Sequence, residues 1–204
     1  MTYTTNQISQ RFFSAPYIFK YVHNLRPVLI PALAQQELNI VYFFSLTARP
    51  LLLKFSAVTI SKLGNGWIYI ILALVAYCYA GNRSLPIIFL GIINALTLHL
   101  LYPKIKKIFR RRRPFIVDIK LPSLLNTLDD HSFPSGHAMT LTGVLTPIVI
   151  AWPSVSYSAL ALIVSMAWSR IATAHHFPSD VIAGITMGLC VAYPLSSYVF
   201  PLIY

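Results

Sequence analysis

The chain has 204 residues, 56% of them hydrophobic and only 10% charged, with a formal net charge of +11. Soluble proteins carry about 25% charged residues, so this composition and the mean hydropathy of +0.66 exclude an ordinary soluble domain. A soluble nucleic-acid-binding protein would share the pI of about 9.9 but would lack the long uncharged apolar runs. The composition predicts one integral membrane domain, residues 1–204, whose basic excess contacts membrane lipids and no nucleic acid.

The N-terminal region, residues 1–62, has the least regular apolar pattern. Its segment 38–60 is apolar but carries Arg49-Pro50 and Lys54 near the middle. Charges at that depth are costly in a free membrane span. A pair of amphipathic or interfacial helices is therefore the preferred interpretation, and a tilted sixth span is the alternative.

The rest of the chain, residues 63–204, contains five apolar stretches with the length of membrane-spanning helices. They cover residues 66–81, 85–103, 137–153, 155–174 and 180–203. A polar stretch between the second and third spans holds most of the acidic residues and many of the basic ones. The pattern predicts an all-α, polytopic membrane helix bundle of five or six spans, with interfacial helices near the N-terminus and a catalytic bundle over 63–204.

Small residues within the spans predict packing rather than chemistry. Gly184 and Gly188 form a small-xxx-small face in the last span, which is typical of close helix packing. Cys78 and Cys190 fall inside apolar runs and are expected to be small buried hydrophobic residues. Two cysteines give neither a disulfide framework nor a zinc pattern.

The first polar string predicts a cationic helix face. If residues 104–113 are helical, Lys106 and Arg113 lie two turns apart on one face, with Arg110 between them. Pro114 then ends the helix. Three cations on one face can hold a phosphate from one side.

The neighbouring Arg111 and Arg112 are interpreted differently. A basic helix face in solvent contacts anionic headgroups without specificity. For these two arginines that interpretation is preferred over a place in a phosphate site.

The second string, Pro134-Ser135-Gly136-His137, lies where a loop becomes a helix. A helix N-terminus presents free N–H groups and a partial positive charge, which suit an anion. Gly136 lets the backbone approach a ligand, Ser135 can add a hydroxyl donor, and His137 projects from the first turn. A helix cap with an interfacial histidine is the alternative for this tetrapeptide taken alone.

The third string contains Arg170, His176 and Asp180. Pro178 predicts a helix that begins near residue 177, which puts Asp180 near its third position. From there the carboxylate can hold the imidazole of His176 in one tautomer and raise its nucleophilicity. An acid at this position also caps a helix without any catalysis, which is the structural alternative.

A metal site is the rival chemical interpretation of these residues. Its ligands would come from His131, His137, His175, His176 and Asp180. Three nearby cations would repel a divalent ion, and the five acidic residues of the whole chain are too few for a two-metal phosphatase. The cations instead indicate a bound anion, so neither a metal nor another cofactor is predicted.

The three strings occur in an order that resembles the type 2 phosphatidic acid phosphatase superfamily, over about residues 64–200. The matching motifs are Lys106-x6-Arg113-Pro114, Pro134-Ser135-Gly136-His137 and Ser169-Arg170-x5-His176-x3-Asp180. The resemblance implies an all-helical membrane enzyme that hydrolyses lipid phosphates or lipid pyrophosphates without a metal.

The resemblance also implies a role for each motif residue. By analogy, His176 attacks phosphorus to form a phosphohistidine, His137 protonates the leaving lipid oxygen, and Asp180 orients His176. The phosphoryl oxygens would be bound by Lys106, Arg113, Ser135, Gly136 and Arg170. The expected substrates are undecaprenyl pyrophosphate, phosphatidylglycerophosphate or phosphatidate. The alternatives are a lipid phosphotransferase that uses the same pocket and a non-catalytic protein that binds or transports lipid phosphates.

Two arguments give opposite orientations in the expected bacterial inner membrane. The resemblance places the catalytic face on the periplasmic side. The predicted spans put every lysine and arginine except Arg83 on the motif-bearing side. Because basic loops favour the cytoplasm, that distribution places the same face inside.

Overall fold

The computed structural model describes residues 32–126 and 131–203. The chain divides into two compact units, residues 1–39 and 40–204. The described part of the first unit is helical. The second unit carries all of the candidate site residues. The single domain expected over the whole chain stays a prediction.

Helices are the regular elements of the described residues, which contain no β-strand. One isolated antiparallel bridge joins Arg112 and His131. Short 3-10 turns precede two of the helices, at Gly81–Ser84 and Pro153–Val155. In chain order the helices are α1 (Ala32–Thr47), α2 (Leu51–Leu63), α3 (Trp67–Ala80), α4 (Leu85–Phe109), α5 (Pro114–Val117), α6 (Gly136–Ala151), α7 (Ser156–Ala172) and α8 (Pro178–Ile203). The all-α prediction is confirmed.

Several helices have the length and hydropathy of membrane spans. Among the described residues, three qualify directly, and a fourth is added if the bent pair α1 and α2 counts as one span. The three are Trp67–Phe109, Pro153–Ala172 and Pro178–Leu202. Helix α6 is apolar but shorter. A polytopic membrane bundle is therefore confirmed, whereas the number of five or six spans stays a prediction.

The stretch Trp67–Phe109 is a helical hairpin and not one continuous helix. Its 43 residues would extend about 65 Å as a straight helix, about twice the thickness of a bilayer core. Residues from both arms, among them Tyr69 and Ala95, line one apolar cavity of about 430 Å³ between α3 and α4. Gly81, with φ of 56°, begins the reversal in a conformation that glycine tolerates best.

The N-terminal helix pair was also predicted. Helices α1 and α2 are bent by 115° where Arg49-Pro50 interrupts the apolar run. Pro50 precedes the first turn of α2, where proline removes no helical hydrogen bond. The pair is confirmed, and its interfacial placement stays a prediction.

Helix α6 is the centre of the bundle and packs against α4 and α8. Its residues from Ala138 to Pro147 are all buried. Asn94 on α4 donates hydrogen bonds to the Gly143 carbonyl (3.1 Å) and to Ser196 Oγ (3.0 Å) on α8, which joins the three helices. The expectation of two buried cysteines is wrong, because Cys78 and Cys190 are exposed on helix surfaces that lipid covers in a membrane.

The predicted small-residue face of α8 lies directly against α6. A Cβ atom added at Gly184 would lie 2.6 Å from the Ser135 carbonyl oxygen. One added at Gly188 would lie 2.5 Å from the Met139 carbonyl oxygen. No side chain fits at either contact, so the prediction of close packing is confirmed.

We expect Gly184→Ala to force α8 away from α6. The added methyl group meets backbone atoms, which cannot rotate aside, so stability should fall by about 1–3 kcal/mol. Thermal unfolding in detergent measures this change. Gly91→Ala is the matched control, since its Cβ would meet Val144 at an ordinary 3.7 Å. Equal melting temperatures for the two variants would contradict the packing argument.

Candidate active site

A polar cavity of about 450 Å³ brings the distant sequence strings together. It is built from the C-terminal end of α4, the N-terminus of α6, the C-terminal end of α7 and the turn before α3. Six of the eight predicted site residues line it: Lys106, Arg113, Gly136, His137, Arg170 and His176. The other two, Ser135 and Asp180, are fully buried behind it.

The cations converge by a route that the sequence did not indicate. Helix α4 ends at Phe109, and Arg110 has a left-handed φ of 48°. Arg113 is extended, with φ of −74° and ψ of 153°. The predicted single helix face over 104–113 is therefore wrong, because the chain turns at Arg110. Arg113 reaches the cavity of Lys106 after that turn.

Three of the four lysines and arginines that line the cavity are almost completely removed from solvent, and the fourth, Lys62, is exposed. Lys106, Arg113 and Arg170 are 8%, 4% and 5% exposed. Arg113 donates to the His175 carbonyl (3.1 Å), and Arg170 donates to Ser61 Oγ on α2. Burying this much positive charge is costly, and a bound anion would offset the cost.

The N-terminus of α6 opens on the same cavity. Gly136 lines it, and a Cβ there would lie 3.4 Å from the Tyr102 ring. Ser135 precedes the helix, and its backbone N–H donates to the Asp180 carbonyl (2.9 Å). The Ser135 hydroxyl is buried away from the cavity lining. Gly136 thus lines the cavity directly, and the phosphate-binding role of the Ser135 hydroxyl stays a prediction.

His137 is held by residues that the sequence interpretation did not assign to the site. Its Nε2 lies 2.8 Å from Asn65 Oδ1, in the turn between α2 and α3. A Cβ at Gly64 would lie 2.5 Å from His137 Cδ2, so only glycine allows this close approach. The string Gly64-Asn65-Gly66 is typical of a turn, but nothing in it indicates contact with a histidine.

His176 lines the cavity, with only 2% of its surface exposed. Its backbone N–H donates to the Arg170 carbonyl (3.2 Å), which fixes the loop before α8. Burial, reinforced by the charges of Arg170, Arg113 and Lys106, holds the pKa of His176 well below its ordinary value of 6.5. The ring is therefore neutral at neutral pH, as a nucleophilic imidazole must be.

Asp180 contacts both His176 and the backbone of its own helix. Its Oδ2 lies 3.7 Å from His176 Nδ1, which is beyond hydrogen-bonding distance. The same oxygen accepts the Phe177 N–H at 2.8 Å. The capping interaction that the sequence left as an alternative is thus present, and Asp180 also lies beside the ring.

Arg111 is not the solvated residue that the sequence analysis preferred. Its Nη1 donates to Asp180 Oδ1 at 2.7 Å. The turn at Arg110 directs Arg111 away from the basic face of α4 and onto the start of α8. Arg112 is exposed, as expected.

The metal alternative required a cluster of histidines and acids. The described residues contain no group of three or more His, Cys, Asp or Glu side chains able to hold a metal ion. His175 has its ring nitrogens next to two backbone carbonyls, Thr173 at 2.7 Å and Leu125 at 3.1 Å. Burial lowers its pKa to about 4.

The family comparison agrees with the geometry. The model of the PAP2 superfamily matches residues 84–204, more than half of the chain. A decaprenylphosphoryl-5-phosphoribose phosphatase from Mycobacterium tuberculosis is 31% identical over 140 residues, which cover 62% of this chain and 67% of that protein. A lipid A 1-phosphatase from Rhizobium etli is 33% identical over 57 residues, 28% of this chain and 25% of that protein.

Two solved structures share the fold. Aquifex aeolicus LpxE superposes with a TM-score of 0.67 at 21% identity and covers 79% of this chain and 94% of its own. A transmembrane PAP2-type phosphatidylglycerolphosphate phosphatase from Bacillus subtilis superposes with a TM-score of 0.64 at 22% identity. That match covers 84% of this chain and 88% of the Bacillus protein.

The cavity of this helical membrane bundle is lined by cations and by four histidines, among them His137 and His176, an arrangement that suits a phosphoryl group. The chain belongs to the PAP2 superfamily, and its enzymatic class is that of the phosphoric ester hydrolases.

The lowered pKa of His176 predicts an unusual acid limit for activity. Because attack needs the neutral ring, kcat/KM should fall only when the pH drops well below 6.5. In Arg113→Gln one positive charge is lost, so the pKa of His176 should rise and the acid limb should move to higher pH. If ionisation of the substrate phosphate set the acid limb of the pH profile, that limb would lie at the same pH in the variant. That result, or a limb above pH 6.5 in the wild type, would contradict the assignment.

Proposed function

We propose that this protein hydrolyses lipid phosphates or lipid pyrophosphates through a phosphohistidine formed on His176. The observation that carries the proposal is that the buried His176 lines the same cavity as Lys106, Arg113 and Arg170. A neutral nucleophile beside three fixed cations suits attack on a phosphoryl group, whose oxygens gain charge in the transition state.

The first step forms a nitrogen–phosphorus bond. His176 attacks phosphorus from the ring nitrogen that does not face Asp180, and the bond from phosphorus to the lipid oxygen breaks. The negative charge of the bound phosphate favours a protonated His137, which donates its proton to that oxygen, so the lipid leaves as a neutral alcohol or, from a pyrophosphate, as a monophosphate. Lys106, Arg113 and Arg170 bind the phosphoryl oxygens throughout.

The second step returns the enzyme to its starting state. A water molecule attacks phosphorus, His137 takes its proton, and the nitrogen–phosphorus bond breaks to release inorganic phosphate. Between the steps the phosphorylated ring of His176 carries positive charge. Asp180 lies 3.7 Å from Nδ1 and is placed to accept the N–H of that ring with a small movement.

The lipid portion of the substrate has a place beside the polar cavity. The apolar cavity between α3, α4 and α6 has about the same volume, and Tyr69 lines both cavities. We propose that the hydrocarbon chain of the substrate lies there while its phosphate occupies the polar cavity. This arrangement favours a membrane lipid over a soluble phosphate ester.

Several lipid phosphates remain candidate substrates. The relatives act, by their names, on a polyprenyl-linked phosphoribose and on lipid A. Polyprenyl and glycolipid phosphates therefore join undecaprenyl pyrophosphate, phosphatidylglycerophosphate and phosphatidate. The sources of the relatives support a bacterial inner membrane. The periplasmic orientation implied by the family and the cytoplasmic one favoured by the basic residues are both retained.

We expect His176→Asn to lower kcat for phosphate release by at least about a thousandfold, because it removes the nucleophile. Acid-free quenching with a ³²P-labelled lipid phosphate should trap label on the wild-type protein and none on the variant. EDTA should leave the wild-type rate unchanged. A loss of activity with EDTA that added Mg²⁺ or Zn²⁺ restores would instead support metal catalysis.

We expect Ala95→Phe to fill part of the apolar cavity and raise KM for long-chain lipid phosphates severalfold. Activity toward para-nitrophenyl phosphate, which lacks a lipid chain, should be unchanged. Leu96→Phe is the control, since Leu96 is 61% exposed and outside the cavity lining. Equal effects of Ala95→Phe on both substrates would contradict the placement of the chain.

A further inference from the structure

We propose that Arg111 is a positioning residue that keeps Asp180 charged and correctly oriented beside His176. This inference rests on the proposed function. Arg111 belongs to none of the motif positions from which the site was predicted, and it is absent from the lining of the polar cavity. It acts on the reaction through Asp180 alone.

The contacts of Arg111 converge on the first turn of α8. Its Nη1 donates to Asp180 Oδ1 (2.7 Å) and to Ser179 Oγ (2.6 Å). Its guanidinium carbon lies 4.1 Å from the centroid of the Phe177 ring, a stacking distance. Two hydrogen bonds and one stacking contact fix the guanidinium group, so it is a rigid partner for the carboxylate.

Asp180 needs such a partner because it is completely buried. Its side chain is 0% exposed, whereas that of Arg111 is 28% exposed. A buried carboxylate without an opposite charge is strongly disfavoured and would bind a proton or turn away. The neutral ring of His176 supplies no charge, and the Phe177 N–H and the Ser132 side chain supply only dipoles.

The two oxygens of Asp180 divide their contacts. Arg111 binds Oδ1, and Oδ2 points to the Phe177 N–H and to His176 Nδ1. Because Arg111 fixes Oδ1, Oδ2 stays on the side of the carboxylate that faces His176. Without Arg111, Oδ1 loses this charged partner, and only neutral groups such as the Phe177 N–H and the Ser132 side chain are left among these contacts to hold the carboxyl group beside His176.

This arrangement predicts a loss in kcat without a loss in substrate binding. We expect Arg111→Gln to lower kcat by about 10- to 100-fold, since a small misplacement near the reacting groups has effects of that size. The KM for a lipid phosphate and the inhibition constant of orthovanadate should stay within about threefold of wild type. Arg112→Gln is the matched control, because it removes the same charge from an exposed neighbour.

A double-mutant cycle tests whether Arg111 acts through Asp180. Asp180→Asn removes the carboxylate that Arg111 holds. In that background, Arg111→Gln should change kcat by less than about threefold. A further loss as large as in the wild-type background would overturn the proposal, as would an unchanged kcat in Arg111→Gln alone.

The outcomes also separate this proposal from the proposed function. An inactive His176→Asn together with a fully active Arg111→Gln would support the proposed phosphatase function and contradict the positioning role of Arg111. A parallel rise in KM and in the vanadate inhibition constant would make Arg111 a phosphate ligand, which also overturns the proposal.

The variant Arg111→Lys provides a second test in case Arg111→Gln fails to fold. Lysine keeps the charge beside Asp180 but lacks the planar group that binds Asp180 and Ser179 and stacks on Phe177. We expect a kcat between those of wild type and Arg111→Gln, with KM unchanged. If Arg111→Gln does not yield folded protein in detergent, a wild-type kcat in Arg111→Lys at a lowered melting temperature would assign Arg111 to stability alone and overturn the proposal.

Discussion

Buried positive charge at one end of an apolar bundle is the constraint on which the site depends. Lys106, Arg113 and Arg170 are each less than 10% exposed, although each would be better solvated in water. Burial, together with their field, holds the pKa of His176 below its ordinary value, and the same cations make the cavity attractive to a phosphate group. The buried charges thus contribute both to substrate binding and to the reactive state of the nucleophile.

Close helix packing holds these groups in place. Because Gly184 and Gly188 have no side chains, α8 lies directly on the backbone of α6. The hydrogen bond from the Ser135 N–H to the Asp180 carbonyl joins the beginnings of the two helices. The second and third motifs are therefore parts of one packed unit, and separating α6 from α8 would disturb both.

The N-terminal part of the second unit contributes more than a membrane contact. Ser61 at the end of α2 binds Arg170, and Asn65 in the following turn lies next to His137. Both residues precede the range that matches the family model, residues 84–204. The end of the region expected to be interfacial, residues 1–62, thus contacts one of the cations of the cavity, and the turn that follows it contacts one of the histidines.

The sequence by itself determined the membrane bundle, the helix breaks at Pro50 and Gly81, and six of the residues that line the cavity. These properties are local, since hydropathy, proline, glycine and short motifs act within a few residues of the chain. Only the tertiary structure decided that Arg111 pairs with Asp180 and that Asn65 contacts His137. Both contacts join distant segments, and the first follows from a left-handed Arg110, a conformation that the arginine side chain does not signal in the sequence.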